Sequence, residues 1–378
     1  MADDDDDVEL DAAGSALLPP RENPALVGHA AAEAALLASY RSGRLPHAWL
    51  FTGPRGVGKA TLAFRFARFL FAESGRMAGG LFAAPAPTSL AVAADDPVFR
   101  RVASGGHADL MVVERAWDPR RRRLRSEIVA DDTRGIAGFL RLTAAEGGWR
   151  VVIIDGADAM NHHAANAVLK ILEEPPRRAV LLLTSDNPGR LLPTIRSRCR
   201  LLALKPLPEA EIVAALGRYR PDLDDAAQAV LARLADGSIG RALALASADG
   251  IALYRDLRTM LERLPALDAE ALSAFADRVG RADGEAGFAL VAELLPGWLA
   301  RMIALAAGQG GVALADEAAG MRRVAARRGL DQWVEVWENL THLFAEADGI
   351  NLDRKQVVLN AFFALEAAAR QAPAEERS

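Results

Sequence analysis

The sequence has little of what secreted or membrane-spanning proteins require. Cys199 is the single cysteine in 378 residues, so no disulfide can form within the chain, which is typical of a reducing compartment. The apolar run RVVIIDGA, residues 150–157, is too short to cross a bilayer. The acidic start MADDDDDVELD lacks the basic segment and apolar core of a secretory signal. We therefore expect a cytoplasmic protein without membrane association.

An excess of positive charge is also missing. The formal net charge is −5, so a protein that coats DNA over its whole surface is excluded, although a local basic patch is not. Apolar residues make up 51% of the chain, enough for a sizeable core, and the length suggests two or three domains. The aspartate run near the N-terminus repels itself, which predicts a solvated tail.

Short apolar runs alternate with helical patterns in the first half of the chain. Such alternation predicts an α/β domain with a parallel sheet that is covered by helices on both faces. We expect helices over 131–146, capped by Asp131 or Asp132, and over 161–176, capped by Asn161. Residues 75–106 and 118–127 read as an irregular insertion and a basic turn. The predicted strands are 47–52, 109–115, 150–158, 179–186 and 200–204.

The composition changes at Pro206 and Pro208, after which the apolar spacing is helical throughout. We therefore divide the chain into a main domain and two helical ones between short tails. The predicted boundaries are a disordered acidic tail 1–22, an α/β domain 23–205, a small helical domain 206–250, a longer all-helical domain 251–372 and a tail 373–378.

A phosphate-binding loop is predicted between the first strand and the first helix after it. The spacing G-x-x-x-x-G-K places backbone N–H groups, a helix N-terminus and a lysine around phosphate oxygens. The loop predicts binding of ATP or ADP. Its candidate residues, with the two that follow, are Gly53, Pro54, Arg55, Gly56, Val57, Gly58, Lys59, Ala60 and Thr61.

Two residues that ATP hydrolysis normally uses are missing. The residue after Lys59 is Ala60, where a hydroxyl normally joins the Mg²⁺ shell. Thr61 lies about 100° further around the helix and cannot simply replace it. Asp155 ends a buried strand, as a Mg²⁺-binding aspartate would, but Gly156 stands where such ATPases usually carry a glutamate. Nucleotide binding is therefore allowed, Mg²⁺ coordination is weakened, and hydrolysis by this chain alone is not expected.

Further segments carry a family resemblance. IIDGADAMNHHAANAVLKILEEPP and LLPTIRSRC, together with HAWLFTGPRGVGKATLA, resemble the delta-prime family of clamp-loader subunits of bacterial DNA polymerase III, which are AAA+ proteins. The resemblance covers most of the chain. It implies a five-stranded AAA+ P-loop domain, a small helical lid, and an all-α C-terminal collar that assembles a pentamer.

The resemblance assigns site residues by motif. In Ser197-Arg198-Cys199, it implies that Arg198 is an arginine finger that reaches ATP on a neighbouring gamma/tau subunit. Thr184 and Ser185 fall at the sensor-1 position, with a strand-end capping role as the alternative. Arg241 lies one place later than the sensor-2 arginine, so a purely structural role is an equal alternative.

Metal binding is not expected. Many clamp-loader relatives hold zinc with four cysteines in the insertion after the first helix, and this chain has none there. His162 and His163 are adjacent on a predicted helix and cannot face the same ion.

Two groups of residues each allow two interpretations. The arginines at 120–123 and Arg125 suit DNA or an acidic partner, and equally a solvated turn without aromatic residues for base stacking. Aromatic residues of the C-terminal half recur at helical intervals, which predicts core packing, while the resemblance allows part of them to lie in a collar interface. They are Trp298, Trp333, Trp337, Phe344, Phe362 and Phe363.

The leading hypothesis is a stator-like AAA+ subunit of the nucleoid-associated replisome. With gamma/tau and delta subunits it would load the sliding clamp on primer–template DNA, and nucleotidyl transfer would belong to the polymerase holoenzyme. One alternative is an ATP-hydrolysing motor subunit of the gamma/tau type. Another is a nucleotide-gated interaction module outside replication.

Overall fold

The computed structural model describes residues 18–79, 86–118, 123–146, 148–247, 250–281, 285–309, 317–350 and 352–370. These residues fall into two compact units, of which the first ends at Leu243 and the second begins at Ala244. The two units are described separately. The division into three domains made from the sequence stays a prediction.

A five-stranded parallel sheet forms the centre of the first unit, as predicted. Its order is β2-β5-β6-β1-β7, and every residue of β1, β5 and β6 is buried. The continuous apolar runs of these strands suit burial on both faces. The strands are β1 (Ala48–Thr52), β2 (Leu110–Val113), β3 (Trp117–Asp118), β4 (Arg123–Leu124), β5 (Arg150–Ile154), β6 (Ala179–Ser185) and β7 (Arg200–Ala203), where β3 and β4 form a separate antiparallel pair.

The register of the central strands brings their carboxyl ends together. Thr52 of β1 lies opposite Ser185 of β6, and Ile154 of β5 lies opposite Leu183 of β6. The residues that directly follow these strands in the sequence therefore lie together at one edge of the sheet. Ligands of open α/β sheets bind at this carboxyl edge.

Helices surround the sheet and continue beyond it. Asn161 caps the helix that follows β5, because its Oδ1 accepts from the N–H of Ala164 at 3.0 Å, as predicted. The helices are α1 (Ala30–Arg41), α2 (Lys59–Gly79), α3 (Pro97–Ala103), α4 (Ala130–Arg141), α5 (His162–Glu173), α6 (Pro193–Arg198), α7 (Glu209–Tyr219), α8 (Asp225–Leu234) and α9 (Ile239–Ser247).

Helix α4 differs from its prediction at both ends. Its N-cap is Val129, and Asp132 accepts from the backbone N–H of Val129 at 2.8 Å, so neither Asp131 nor Asp132 is the cap residue. The helix ends at Arg141 rather than at 146. The buried carboxylate of Asp109 accepts from the N–H groups of residues 145 and 146 at 2.9 and 3.1 Å, which holds this segment outside the helix.

Two segments predicted as irregular contain secondary structure. Helix α2 continues to Gly79, and α3 lies inside the supposed insertion, capped by Asp96, whose Oδ1 accepts from the N–H of Val98 at 2.8 Å. The basic turn contains the β3–β4 hairpin, in which Trp117 lies opposite Leu124. Both side chains are exposed, so an aromatic residue does accompany the basic cluster. The arginines at 120–122 lie outside the described residues, as do residues 1–17 of the predicted N-terminal tail and all of the predicted tail 373–378.

The second unit is helical in its described residues, as predicted. Trp298, Trp333, Phe344 and Phe362 are buried, which confirms core packing for them, whereas Phe363 is 49% exposed and the core prediction is wrong there. The helices are α10 (Gly250–Glu262), α11 (Ala269–Gly280), α12 (Glu285–Ala306), α13 (Ala318–Ala325), α14 (Leu330–Ile350) and α15 (Arg354–Arg370).

Helix α12 contains a window, Gly287–Ala306, that is long and apolar enough to cross a membrane. More than half of this window, 56%, is buried inside the protein. Trp298 and Leu299 are among its fully buried side chains. This burial is typical of the core helix of a helical unit, which passes the same length and composition test.

Candidate functional site

The loop from Gly53 to Gly58 connects β1 to α2 at the carboxyl edge of the sheet. Gly53 has φ 147° and Gly56 has φ 73°, backbone angles that residues other than glycine rarely adopt. A Cβ on Gly53 would lie 2.2 Å from the carbonyl oxygen of Leu204. The glycines therefore allow the tight path that turns backbone N–H groups toward a ligand.

Lys59 begins α2 and is 6% exposed. Its Nζ donates to the carbonyl oxygens of Gly53 at 2.9 Å and Pro54 at 2.6 Å, and it lies 2.5 Å from Oδ1 of Asp186. These three acceptors match the three N–H bonds of an ammonium group. The sequence prediction included Lys59 but missed Asp186, whose position directly after β6 was the available signal.

Asp155 directly follows β5, and Thr184 is the last residue but one of the neighbouring strand β6. Oγ1 of Thr184 donates to Oδ1 of Asp155 at 2.5 Å, and the N–H of Gly156 donates to the same hydroxyl at 2.8 Å. Ser185 is fully buried, and its Oγ has no hydrogen-bond partner among the described residues. Of the two sensor-1 candidates, Thr184 is therefore the one in contact with Asp155.

Glu114, directly after β2, is a further carboxylate that the sequence prediction missed. Burial raises its pKa, and the negative charge of Asp155 raises it further, while Arg21 lowers it. Glu114 and Asp155 both line the cavity that lies over the loop. Three acidic side chains, Glu114, Asp155 and Asp186, thus stand around one ligand-sized space.

A cavity of about 610 Å³ opens over the loop, within the usual volume of small-molecule sites. Ala60 and Thr61 line it together with Lys59. The N-terminus of α2, the glycine cradle and Lys59 fit the phosphates of a nucleotide. The fit to Mg²⁺ is incomplete, because Ala60 supplies no oxygen. The other lining segments are residues 18–20, Asn23, 25–27, 55–58, Arg115, Leu124, Gly156, Thr184, Tyr219, Ile239 and Gly240.

The start of α9 packs on the glycine loop of residues 53–58. Oγ of Ser238 donates to the carbonyl of Arg55 at 2.8 Å, and the N–H of Gly240 donates to the carbonyl of Gly56 at 2.9 Å. Arg241 forms an ion pair with Asp236 at 3.1 Å and is outside the described lining of the cavity. Its predicted sensor-2 role stays a prediction, and this ion pair supports the structural alternative.

Arg198 ends α6 at a different place from the cavity. Its Nη2 lies 2.9 Å from Oε1 of Glu173, and its Nη1 donates to the carbonyl of Thr194 at 3.1 Å. The Arg198 side chain is 36% exposed and is not among the described residues that line the cavity. The next residue, Cys199, is half-buried, and burial raises its pKa to about 12.

The expectation that His162 and His163 bind no metal stays a prediction. The rings of His162 and His163 are 6.0 Å apart at 83°, and no group of three or more potential metal ligands occurs in the described part of the chain.

Comparison with known proteins finds similarity to subunits of bacterial DNA polymerase III. The family model described as DNA polymerase III, delta subunit, matches residues 28–208. The delta' subunit of Pseudomonas aeruginosa DNA polymerase III is 38% identical over 193 residues, which cover 51% of this chain and 53% of that protein. The chain resembles the delta-prime subunits of bacterial DNA polymerase III.

Related subunits of the polymerase match as well. The Escherichia coli delta' subunit is 34% identical over 214 residues, covering 57% of this chain and 58% of that protein. The Escherichia coli tau subunit is 33% identical over 260 residues, which cover 66% of this chain and 37% of that protein. The chain therefore spans about half the length of the curated delta-prime relatives that it matches.

Residues 28–208, which the family model matches, contain the complete parallel sheet. They also contain the loop with Lys59, the carboxylate of Asp155 and the arginine at 198. The Thermotoga maritima gamma subunit-related structure aligns with 89% of this chain and all of that chain, at 18% identity and a TM-score of 0.42. A score this low adds nothing to the fold, which rests on the sheet and helices described above.

Proposed function

We propose that this chain is a stator-like subunit of a bacterial clamp loader. It assembles with gamma/tau and delta subunits, helps place the sliding clamp on primer–template DNA, and works at the replisome in the cytoplasm. The observation that carries the proposal is the separation between Arg198, exposed at the end of α6, and the chain's own nucleotide cavity. Similarity to delta-prime subunits supplies the biological setting of the proposal.

The chain's own cavity favours holding a nucleotide over hydrolysing it. Lys59 and the glycine loop hold phosphates, but Ala60 gives no hydroxyl to Mg²⁺, and Gly156 gives no carboxylate to orient an attacking water. A positioned general base normally contributes about 10²–10⁴-fold in rate. Thr184 also engages Asp155 directly, through its hydroxyl.

Arg198 is proposed to serve the ATP site of a neighbouring subunit. The guanidinium is planar and permanently charged, so it neutralises negative charge that develops on the γ-phosphate during transfer. Its ion pair with Glu173 is partly exposed, and such pairs contribute about 0–1 kcal/mol. Little free energy therefore opposes the release of Arg198 toward a partner.

Assembly tests the proposal most simply. The purified chain is mixed with gamma/tau and delta subunits, separated by size exclusion, and assayed for clamp loading on primed DNA. We expect a stable complex whose loading activity requires this chain. A chain that elutes alone, or a complex that loads the clamp equally well without it, would contradict the proposed function.

A second candidate function is that of an ATP-hydrolysing motor of the gamma/tau type. The similarity to the tau subunit and the retained Lys59 and Asp155 favour it. It predicts Mg²⁺-dependent ATP turnover by the isolated chain, which Lys59→Ala abolishes. Turnover at background level would exclude it.

A further inference from the structure

Three acceptors surround the ammonium group of Lys59, and they differ in kind. The carbonyls of Gly53 and Pro54 belong to the loop itself and are neutral. Asp186 is charged, and its side chain is 48% exposed. A phosphate that enters the cavity must replace one of these acceptors, because an ammonium has three N–H bonds. Asp186 is the member that solvent and ligand both reach.

The carboxylate of Asp186 stands where a phosphate oxygen would bind. Its Oδ1 is 2.5 Å from Nζ of Lys59, which is hydrogen-bond distance for a charge-assisted pair. In a P-loop, backbone N–H groups hold the inner phosphates and the lysine reaches the outer ones. Asp186 therefore competes most directly with the terminal phosphate of a triphosphate.

The remaining charges of the cavity act in the same direction. Glu114 and Asp155 line it on the side of β2 and β5. A bound Mg²⁺ ion would offset their repulsion of a triphosphate, but Ala60 withholds one of its usual ligands. A diphosphate carries one negative charge fewer, and its outer phosphate can take the place of a neutral loop carbonyl at Lys59 while the Lys59–Asp186 pair stays intact.

We propose that Asp186 makes this cavity select a nucleoside diphosphate over the corresponding triphosphate. The inference rests on the nucleotide-binding part of the proposed function and assigns its ligand class. The nucleoside diphosphate then stays bound to the subunit, as expected for a site that does not hydrolyse ATP.

Equilibrium titration of the full chain tests this. ADP and ATP are each titrated by calorimetry, with Mg²⁺ and with a chelator, into the wild type and Asp186→Asn. We expect the wild type to bind ADP at least about tenfold more tightly than ATP, a ratio that corresponds to ~1.4 kcal/mol. Asp186→Asn should raise ATP affinity more than ADP affinity and bring the two within about threefold.

Two variants make the titration specific. Asp158→Asn removes a carboxylate that is outside the described lining of the cavity and accepts from the N–H of Asn187 at 3.0 Å. Its amide oxygen keeps that bond, so the wild-type preference should persist. Lys59→Ala should lose both nucleotides, which shows that the titrated site is this loop.

Three results would overturn the inference: no binding of either nucleotide to the wild type, ATP binding as tight as ADP binding, or an unchanged preference in Asp186→Asn. Its failure is distinguishable from failure of the clamp-loader proposal. Complex formation and clamp loading are measured without reference to the nucleotide held by this chain.

Discussion

Thr184 donates a hydrogen bond of 2.5 Å to the carboxylate of Asp155 and thereby joins the ends of β6 and β5. The hydroxyl also accepts from the N–H of Gly156 at 2.8 Å, so it is engaged on both sides. Thr184 is 2% exposed. Thr184 thus links the end of β6 to the residues that follow β5, while its sensor-1 role stays a prediction.

Replacing Thr184 by valine should destabilise the first unit by about 1–3 kcal/mol. Valine keeps the shape, but the N–H of Gly156 and the carboxylate of Asp155, whose hydrogen bonds to Thr184 are part-buried, lose a partner. A polar group left without its partner in this way costs up to that much. Equilibrium urea unfolding measures the change. Thr184→Ser keeps the hydroxyl and should retain more stability than the valine variant. A valine variant as stable as the wild type would show that these hydrogen bonds contribute nothing.

Gly240→Ala should separate α9 from the phosphate-binding loop. A Cβ at residue 240 would lie 2.9 Å from Cα of Gly56 and 3.2 Å from its carbonyl oxygen, and overpacking of this kind costs about 1–3 kcal/mol. We expect a lower melting temperature and weaker nucleotide binding.

Gly138→Ala in α4 is the control, because nothing lies within 4 Å of its Cβ. It should stabilise by roughly 0.5–1 kcal/mol. Equal effects of the two changes would contradict the account of this contact.

Cys199 should react slowly with iodoacetamide at pH 8. Burial raises the pKa of its thiol to about 12, whereas a free cysteine has a pKa of about 8.5. A raised pKa leaves less thiolate at any pH below it, and the thiolate is the reactive form. Labelling should be at least about 100-fold slower than in the chain unfolded by guanidinium, and it should accelerate as the pH rises toward 10. Mass spectrometry follows the reaction, and equal rates in the folded and unfolded chain at pH 8 would exclude this environment.

The sequence was informative where the determining interactions are local. The strand that begins at residue 150, the Asn161 cap and the glycine loop are encoded within a few neighbouring residues, and each was predicted, although the strand ends at Ile154 rather than at residue 158. Spacing alone also identified Lys59. The parallel sheet followed from the alternation of strands and helices.

The remaining features depend on contacts between distant segments. Asp186 reaches Lys59 only because β6 pairs with β1 in a particular register, which no local pattern specifies. The end of α4 depends on the carboxylate of Asp109, more than thirty residues earlier. Likewise, Ser238 binds the carbonyl of Arg55 across 183 residues of sequence.

The most direct test of the account is ATP turnover by the assembled complex. The chain is combined with gamma/tau and delta subunits, the clamp and primed DNA, and wild type is compared with Arg198→Ala, Arg198→Lys and Arg196→Ala. An arginine finger contributes about 10³–10⁵-fold at the site that it serves.

We expect Arg198→Ala to assemble normally but to silence that neighbouring site and lower total turnover. Lysine should not restore it, because it lacks the planar guanidinium. Arg196→Ala, an exposed arginine on the same short helix, should match the wild type. Wild-type turnover with Arg198→Ala in a fully assembled complex would contradict the central claim.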